Sequence, residues 1–177
     1  LVVWEKIQST SIDHYNIYRE AYYQNQYNLI GSVPYDDMSE YKDYFANSLT
    51  RSWSYRISAV DSCGNESDMS DVHKTIHLSV DLRLGYDFDL TWDHYEGFSF
   101  NYYYIYRHTN QAGWLLIDSV PSNQNTYTDD PPNLLGLWYF IAANTPTQCI
   151  PTSSAKANGG PYSQSNSNME DNSMYAE

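Results

Sequence analysis

Trp53-Ser-Tyr55-Arg-Ile57-Ser-Ala59-Val-Asp-Ser-Cys63-Gly-Asn-Glu-Ser67 begins as an alternating run and ends as turn chemistry. Tyr55, Ile57 and Ala59 recur with period two, so a strand here sends them to one face while Arg56 and Ser58 point the other way. Asp-Ser-Cys-Gly-Asn-Glu-Ser follows at once, and Gly, Asn, Asp and Ser are the residues that tolerate or stabilise a reversal of the chain.

The rest of the composition agrees with β-structure. Among 177 residues there are 19 Tyr, 5 Trp and 5 Phe, which fit a pleated, half-buried surface, and there is no heptad or amphipathic helical stretch. The pattern also recurs. Trp4 and Tyr15-Asn-Ile17-Tyr18-Arg19 return 88 residues later as Trp92 and Tyr103-Tyr-Ile105-Tyr106-Arg107. Tyr27-Asn-Leu-Ile-Gly-Ser-Val33-Pro34 returns after 87 as Trp114-Leu-Leu-Ile-Asp-Ser-Val120-Pro121, and Tyr41-Lys-Asp43 after 86 as Tyr127-Thr-Asp129. Tyr55-Arg-Ile57-Ser-Ala59 returns after 84 as Tyr139-Phe-Ile141-Ala-Ala143. Such slow drift is what loop-length differences between two copies of one fold produce, and 177 residues suffice for two sandwiches of the usual size.

In copy one, Leu1 to Trp4 is expected as a strand with Val2 and Trp4 inward. Asp13 to Glu20 is the next, with Tyr15 and Ile17 inward and Asn16 and Tyr18 outward, followed by Asn28 to Ser32 and the region of Tyr41 to Tyr44. Val72 to Leu78 is expected to close the copy. His73 to Leu82 alternates without a Gly, Ser or Pro-rich linker, so one copy should pass almost directly into the next, restricting hinge motion. In copy two, Phe88, Leu90 and Trp92 go inward, while Asp87, Asp89, Thr91 and Asp93 line the outer face. Asn144 to Tyr162 contains Pro146, Pro151 and Asn158-Gly-Gly-Pro161 and is expected as a long loop. Ser163 to Met169 then offers a polar edge strand, and Glu170 to Glu177 a mobile tail or a lead into a further domain.

With Leu49 six residues before it, the Tyr55 strand resembles the sixth strand of a fibronectin type III module, where a Leu and a Tyr mark the tyrosine corner. The resemblance covers nearly the whole chain and implies an all-β fold of two tandem immunoglobulin-like sandwiches, 1–78 and 79–170, the first lacking its first strand, with 171–177 as tail or linker. His73-Lys-Thr-Ile-His-Leu78, Cys149-Ile-Pro-Thr152 and Tyr162-Ser-Gln-Ser-Asn-Ser-Asn168 also resemble segments of the fibronectin-like repeats in large secreted and surface proteins of Bacteroidetes. That resemblance implies an extracellular or cell-surface location and export by type IX secretion. Neither copy carries an Arg-Gly-Asp tripeptide, which opposes animal-style integrin binding.

Charge and motifs exclude several functions. Nine basic against 22 acidic residues give a net charge of −13, which opposes nucleic acid and anionic membranes as partners. There is no apolar run of about 18 residues for a membrane span and no basic then apolar leader. Leu1-Val-Val-Trp4 reads as the inside of a domain, so the chain is expected to be a segment of a longer one. His14, His73, His77, His94 and His108 lack metal-ligand spacing and read as surface histidines. Asp87, Asp89 and Asp93 splay by about 6 to 7 Å between alternate strand residues and read as a solvated sheet face rather than a calcium site. No nucleophile elbow or phosphate-cradling loop is present, so neither catalysis nor a cofactor is expected. Cys63 and Cys149 fall in corresponding loops. In head-to-tail sandwiches strand length separates those loops by roughly 20 Å, against less than about 7 Å between the Cα atoms of a disulfide, so both are expected unpaired within the chain.

The candidate binding surface comes from comparing outward residues. Copy one presents Asn16, Tyr18, Arg56 and Ser58, whereas copy two presents Tyr102, Tyr104, Tyr106, Trp138 and Phe140. The third and sixth strands pair in this fold, so these rings are expected to form one exposed aromatic patch, of the kind that marks an interface or ligand surface. The bland alternative is that Arg107, the long loop or a neighbouring domain covers them. The expected function is therefore a non-catalytic structural or adhesive module, a stiff spacer whose partners are neighbouring domains of the same chain and other surface proteins or glycans. The alternative is a carbohydrate-binding accessory region using the aromatic face of copy two.

Overall fold

The computed structural model describes residues 1–9, 11–83, 87–132, 136–151 and 162–171. Asn158-Gly-Gly-Pro161 of the expected loop and residues 172–177 of the expected tail lie outside them. The described residues form strands and turns with no helix, hence none long and apolar enough to cross a membrane. The chain divides into two compact units, one formed by Leu1–Ala46, Trp53–Lys74 and Thr147–Ser163, the other by Asn47–Ser52, Thr75–Pro146 and Gln164–Glu177.

In the first unit, β1 (Val2–Val3) pairs with β4 (Glu40–Tyr41), and a second sheet runs in the order β3 (Tyr27–Pro34), β2 (Ile12–Glu20), β5 (Ser54–Asp61), β6 (His73–Lys74). Buried Ile17, Val33 and Tyr55 from the larger sheet meet Val2, Trp4 and Tyr41 from the smaller one, which makes the unit a sandwich. In the second unit, β7 (Leu78–Leu82), β8 (Phe88–Trp92) and β11 (Thr126–Asp129) form one sheet in the order β11, β8, β7. The facing sheet runs β10 (Gly113–Pro121), β9 (Tyr102–Thr109), β12 (Trp138–Cys149), β13 (Tyr162–Asn166), and β14 (Glu170–Asp171) also pairs with β12. Phe88, Leu90 and Trp92 pack on Tyr103, Ile105, Tyr139 and Ile141, with the period-two alternation of β8 buried as expected. The pairings of β1 with β4, of β2 with β3 and β5, of β5 with β6, of β8 with β7 and β11, of β9 with β10 and β12, and of β12 with β14 are antiparallel, and the third and sixth strands of each copy pair as the resemblance implied.

The two frames repeat in detail. Trp4 meets Tyr15 edge-on at 5.5 Å, and Trp92 meets Tyr103 edge-on at the same distance. The Tyr15 hydroxyl accepts from the Ile7 amide at 3.1 Å, as that of Tyr103 does from the Tyr95 amide at 2.8 Å. Arg19 binds the Asp43 carboxylate at 2.8 Å, and the Tyr55 hydroxyl donates to the same carboxylate at 3.1 Å. Arg107 binds both oxygens of Asp129 at 2.8 and 2.7 Å, and Tyr139 donates to it at 2.7 Å. Both carboxylates are almost fully buried.

Several expected boundaries move. Leu49 is 60% exposed rather than packed beside Tyr55. The Tyr55 hydroxyl is satisfied by Asp43, and the chain from Asn47 turns on that residue's own side chain, which accepts from the Leu49 amide. The strand expected over Tyr41 to Tyr44 ends at Tyr41. The strand expected to close copy one is only His73–Lys74, and Ile76 and Leu78 belong to the second core. Trp138 to Ala143 does not give way to a loop but continues to Cys149. Pro146 lies beyond Ala143, where the pairing of β12 with β9 ends, so its missing N–H takes no bond from that ladder. Glu170 and Asp171 are held in β14 against Tyr139 and Trp138.

Removing one partner of a buried ion pair strands the other charge. Asp129→Ala is expected to destabilise the second unit by about 3–5 kcal/mol, measured by urea denaturation, with Asp43→Ala doing the same to the first. Burial pushes the Tyr55 and Tyr139 phenols well above their ordinary range, and the neighbouring carboxylates add to it. The folded state therefore keeps both protonated where the unfolded chain ionises. Their stabilisation is complete below about pH 10 and is lost as pH rises beyond it, so urea midpoints are expected to fall above that pH and to stay flat just below it.

Candidate functional site

The outer face of the second unit's larger sheet is built from alternate residues of β9, β10 and β12. On β9, Tyr103, Ile105 and Arg107 point inward, which leaves Tyr102, Tyr104, Tyr106 and His108 outward. The register sets Phe140 opposite Tyr106, Trp138 opposite His108, and Ala142 opposite Tyr104. Trp114 lies opposite His108 and Leu116 opposite Tyr106 on the other side. The sheet thus brings Tyr104, Tyr106, Trp138 and Phe140 together, with Tyr102 at the end of β9 beside Pro121.

Their exposure is graded. Tyr102 is 49% and Trp138 41% exposed, whereas Tyr104, Tyr106 and Phe140 are half-buried, the last two against each other. Tyr106 and Phe140 stack at 4.6 Å with planes 6° apart. That separation matches the spacing of neighbouring strands, so the two rings stand side by side on the sheet with their edges outward. Trp114 meets Phe140 edge-to-face at 4.7 Å and lies 5.2 Å from the His108 ring, reaching across β9. The His108 Nδ1 beneath is buried without a hydrogen-bond partner. Trp114 and Leu116, 40% and 54% exposed, complete the patch and were absent from the sequence-based set. Arg107, which could have covered the rings, is turned inward to Asp129.

The matching face of the first unit leaves Leu29 exposed but is otherwise largely polar and capped by its own loop. Glu66 reaches back after β5, and its Oε1 accepts from Asn16 Nδ2 at 3.0 Å, Tyr18 at 2.5 Å and Ser58 at 2.5 Å. Ser32 donates to the Asn16 side-chain oxygen at 2.6 Å. Asn16 points outward as expected but is buried beneath this network. Hydrogen bonds from Asn16, Ser58 and Tyr18 hold the Glu66 carboxyl down to about 2. Arg56 lies over the Tyr27 ring at 5.1 Å and donates to the Ser70 carbonyl.

The other candidate groups do not converge. Among the described residues, no group of three His, Cys, Asp or Glu could hold a metal. Asp89 is engaged by Thr128 at 2.7 Å and by Arg83 at 3.1 Å. Cys63 is exposed, Cys149 is half-buried, and both thiols are free. No family model matches the chain, and no curated protein matches it. Among solved structures, a crystal structure of the chicken CNTN1 FN1-FN3 domains matches at 14% identity and a TM-score of 0.27, covering 88% of this chain and 54% of that one. The chain is an all-β pair of sandwiches with fibronectin type III-like strand order.

The Glu66 clamp is separable from the core. Because its carboxyl is depressed, its anchoring is complete above the ordinary value of about 4.3 and is lost as pH falls toward 2. Glu66→Gln is expected to speed amide exchange at Gly64 to Ser67 at pH 7 while leaving that at Tyr15 to Ile17 unchanged, and acidification of the parent chain should have the same local effect.

Proposed function

We propose that the chain is a non-catalytic structural and interaction segment of a larger extracellular protein, two sandwiches in series whose second unit carries the binding face. The observation that carries this is divergence of the outer sheet faces on matched frames. Arg19, Asp43 and Tyr55 repeat as Arg107, Asp129 and Tyr139, and Leu29 and Leu116 are equally exposed, yet the first unit caps the rest of its outer face with Glu66 while the second leaves the rings of Trp114, Trp138 and Tyr102 open. Apolar rings left open where the sister copy is capped are what a partner surface requires. The resemblance of the 73–78, 149–152 and 162–168 segments to Bacteroidetes surface repeats supports an extracellular setting reached by type IX secretion.

Carbohydrate binding is the competing role. Exposed Trp138 and Tyr102 favour it, since a flat ring can stack on a sugar. The stacking of Tyr106 on Phe140 opposes it, because those rings present edges rather than faces. A photo-crosslinking amino acid, p-benzoylphenylalanine, placed at Trp114 in the parent protein is expected to give a discrete protein adduct in the native host, and the same group at Tyr27 none. Adducts from neither position would remove the second unit's face as an interaction surface. Glycan-array binding that disappears in Trp138→Ala with Tyr104→Ala would instead establish the carbohydrate role.

A further inference from the structure

The chemistry of the partner follows from matching the two outer faces residue by residue, and rests on the second unit's face being an interaction surface. In the first unit, Tyr18 lies opposite Arg56 and Glu20 opposite Tyr27. In the second, Tyr106 lies opposite Phe140 and His108 opposite Trp114. The four positions therefore correspond, with Phe140 in the place of Arg56 and Trp114 in the place of Tyr27.

The first unit supplies an outer ring with a cation of its own. The Arg56 guanidinium lies 5.1 Å from the centre of the Tyr27 ring. The second unit has replaced the cation by another ring, Phe140, against which Trp114 packs edge-to-face. Its own bases do not compensate. The second unit holds three basic residues, Arg51, Arg83 and Arg107, against eleven acidic ones. Arg83 and Arg107 are paired with Asp89 and Asp129. Asp171 stands directly opposite Trp138 in register, on the same side of the sheet, so a carboxylate borders the rings. Exposed Trp114 and Trp138 beside a carboxylate, on a chain of net charge −13, complement a cation that brings its own planar surface.

We propose that the outer face of the second unit binds an arginine-bearing segment of another protein, whose guanidinium occupies over Trp114 and Trp138 the role that Arg56 has over Tyr27. Arginine is favoured over lysine because its planar guanidinium stacks on a ring. The acidic chain speeds encounter, while the rings hold the bound partner.

The test uses the whole chain and a fluorescein-labelled peptide of three arginines spaced by Gly and Ser, with its citrulline isostere as the neutral control. Binding is read by anisotropy at 150 mM salt. The citrulline peptide is expected to bind at least tenfold more weakly than the arginine peptide. Phe140→Arg, which restores the first unit's arrangement, and Trp138→Ala should each weaken the arginine peptide at least tenfold. Phe140→Tyr should keep binding, which shows that the position tolerates substitution. Asp36→Asn changes net charge as much as Phe140→Arg does and should alter affinity less than twofold. Equal losses in Asp36→Asn and Phe140→Arg would reduce the effect to bulk charge and overturn the proposal, as would equal binding of the two peptides. If the arginine peptide fails while crosslinking from Trp114 still yields an adduct, the cationic partner falls and the interaction surface stands. If both fail, the interaction surface falls as well.

Discussion

Two buried carboxylates, Asp43 and Asp129, each hold one arginine and one tyrosine. Each follows or ends the short strand of one sheet, while its partners come from two paired strands of the facing sheet. The network therefore ties the layers together as the apolar core does, but with direction. A hydrophobic face tolerates small slips, whereas a charge taken out of water is stable only where all its partners meet it. A one-residue slip of β9 would carry Arg107 to the solvent side and leave Asp129 unpaired in the core. The pair thus sets the register as well as contributing stability, which is a reason for both copies to keep it when few residues between them are identical.

With the inner face fixed in this way, the outer face is free to change. The same strands carry both, so every outward residue has a defined place relative to the network. In the first unit Arg56, opposite Tyr18, and the Glu66 loop cover the sheet with polar groups. In the second, Phe140 in the same place packs on Tyr106 and the sheet stays apolar. The difference needs no change of backbone, because outward substitutions disturb neither the Arg107 to Asp129 bond nor the Trp92 to Tyr103 contact.

Much of this was legible in the sequence. Offsets of 84 to 88 residues showed two copies, and period two placed Tyr15, Ile17, Phe88, Leu90 and Trp92 inward, where they lie. The repeat also contained Arg19 and Asp43 with their counterparts, but a one-dimensional pattern does not show that residues 24 apart meet in a core. For the same reason Leu49 was given to Tyr55 on spacing alone, and the hydroxyl found Asp43 instead. Glu66 looked like one more turn residue, since its three donors lie on strands up to 50 residues away. Pro146 misled in the opposite direction. It disqualifies a strand only where its N–H would be needed, and which side of β12 is paired at each point is a property of the sheet.

Trp114 shows most clearly where alternation fails. It and Val120 are an even number of residues apart, so a regular strand would put both on one face, yet Trp114 is exposed and Val120 is buried in the core. A bulge between Leu116 and Asp118 reverses the phase of β10, so its first half serves the outer patch and its second half the interior. The first unit does the same at the equivalent place. Its pairing skips Ile30, with Leu29 exposed before it and Val33 buried after it. In each copy the extra residue, Ile30 or Ile117, packs partly into its own core. The bulge is therefore part of the shared frame and is anchored by burial. It also bends an edge strand that would otherwise present a long, flat and apolar row of unpaired groups to other chains. The extra residue in the second copy thus turns Trp114 out toward the patch and, by the same bend, makes the edge beside it a poorer template for strand addition.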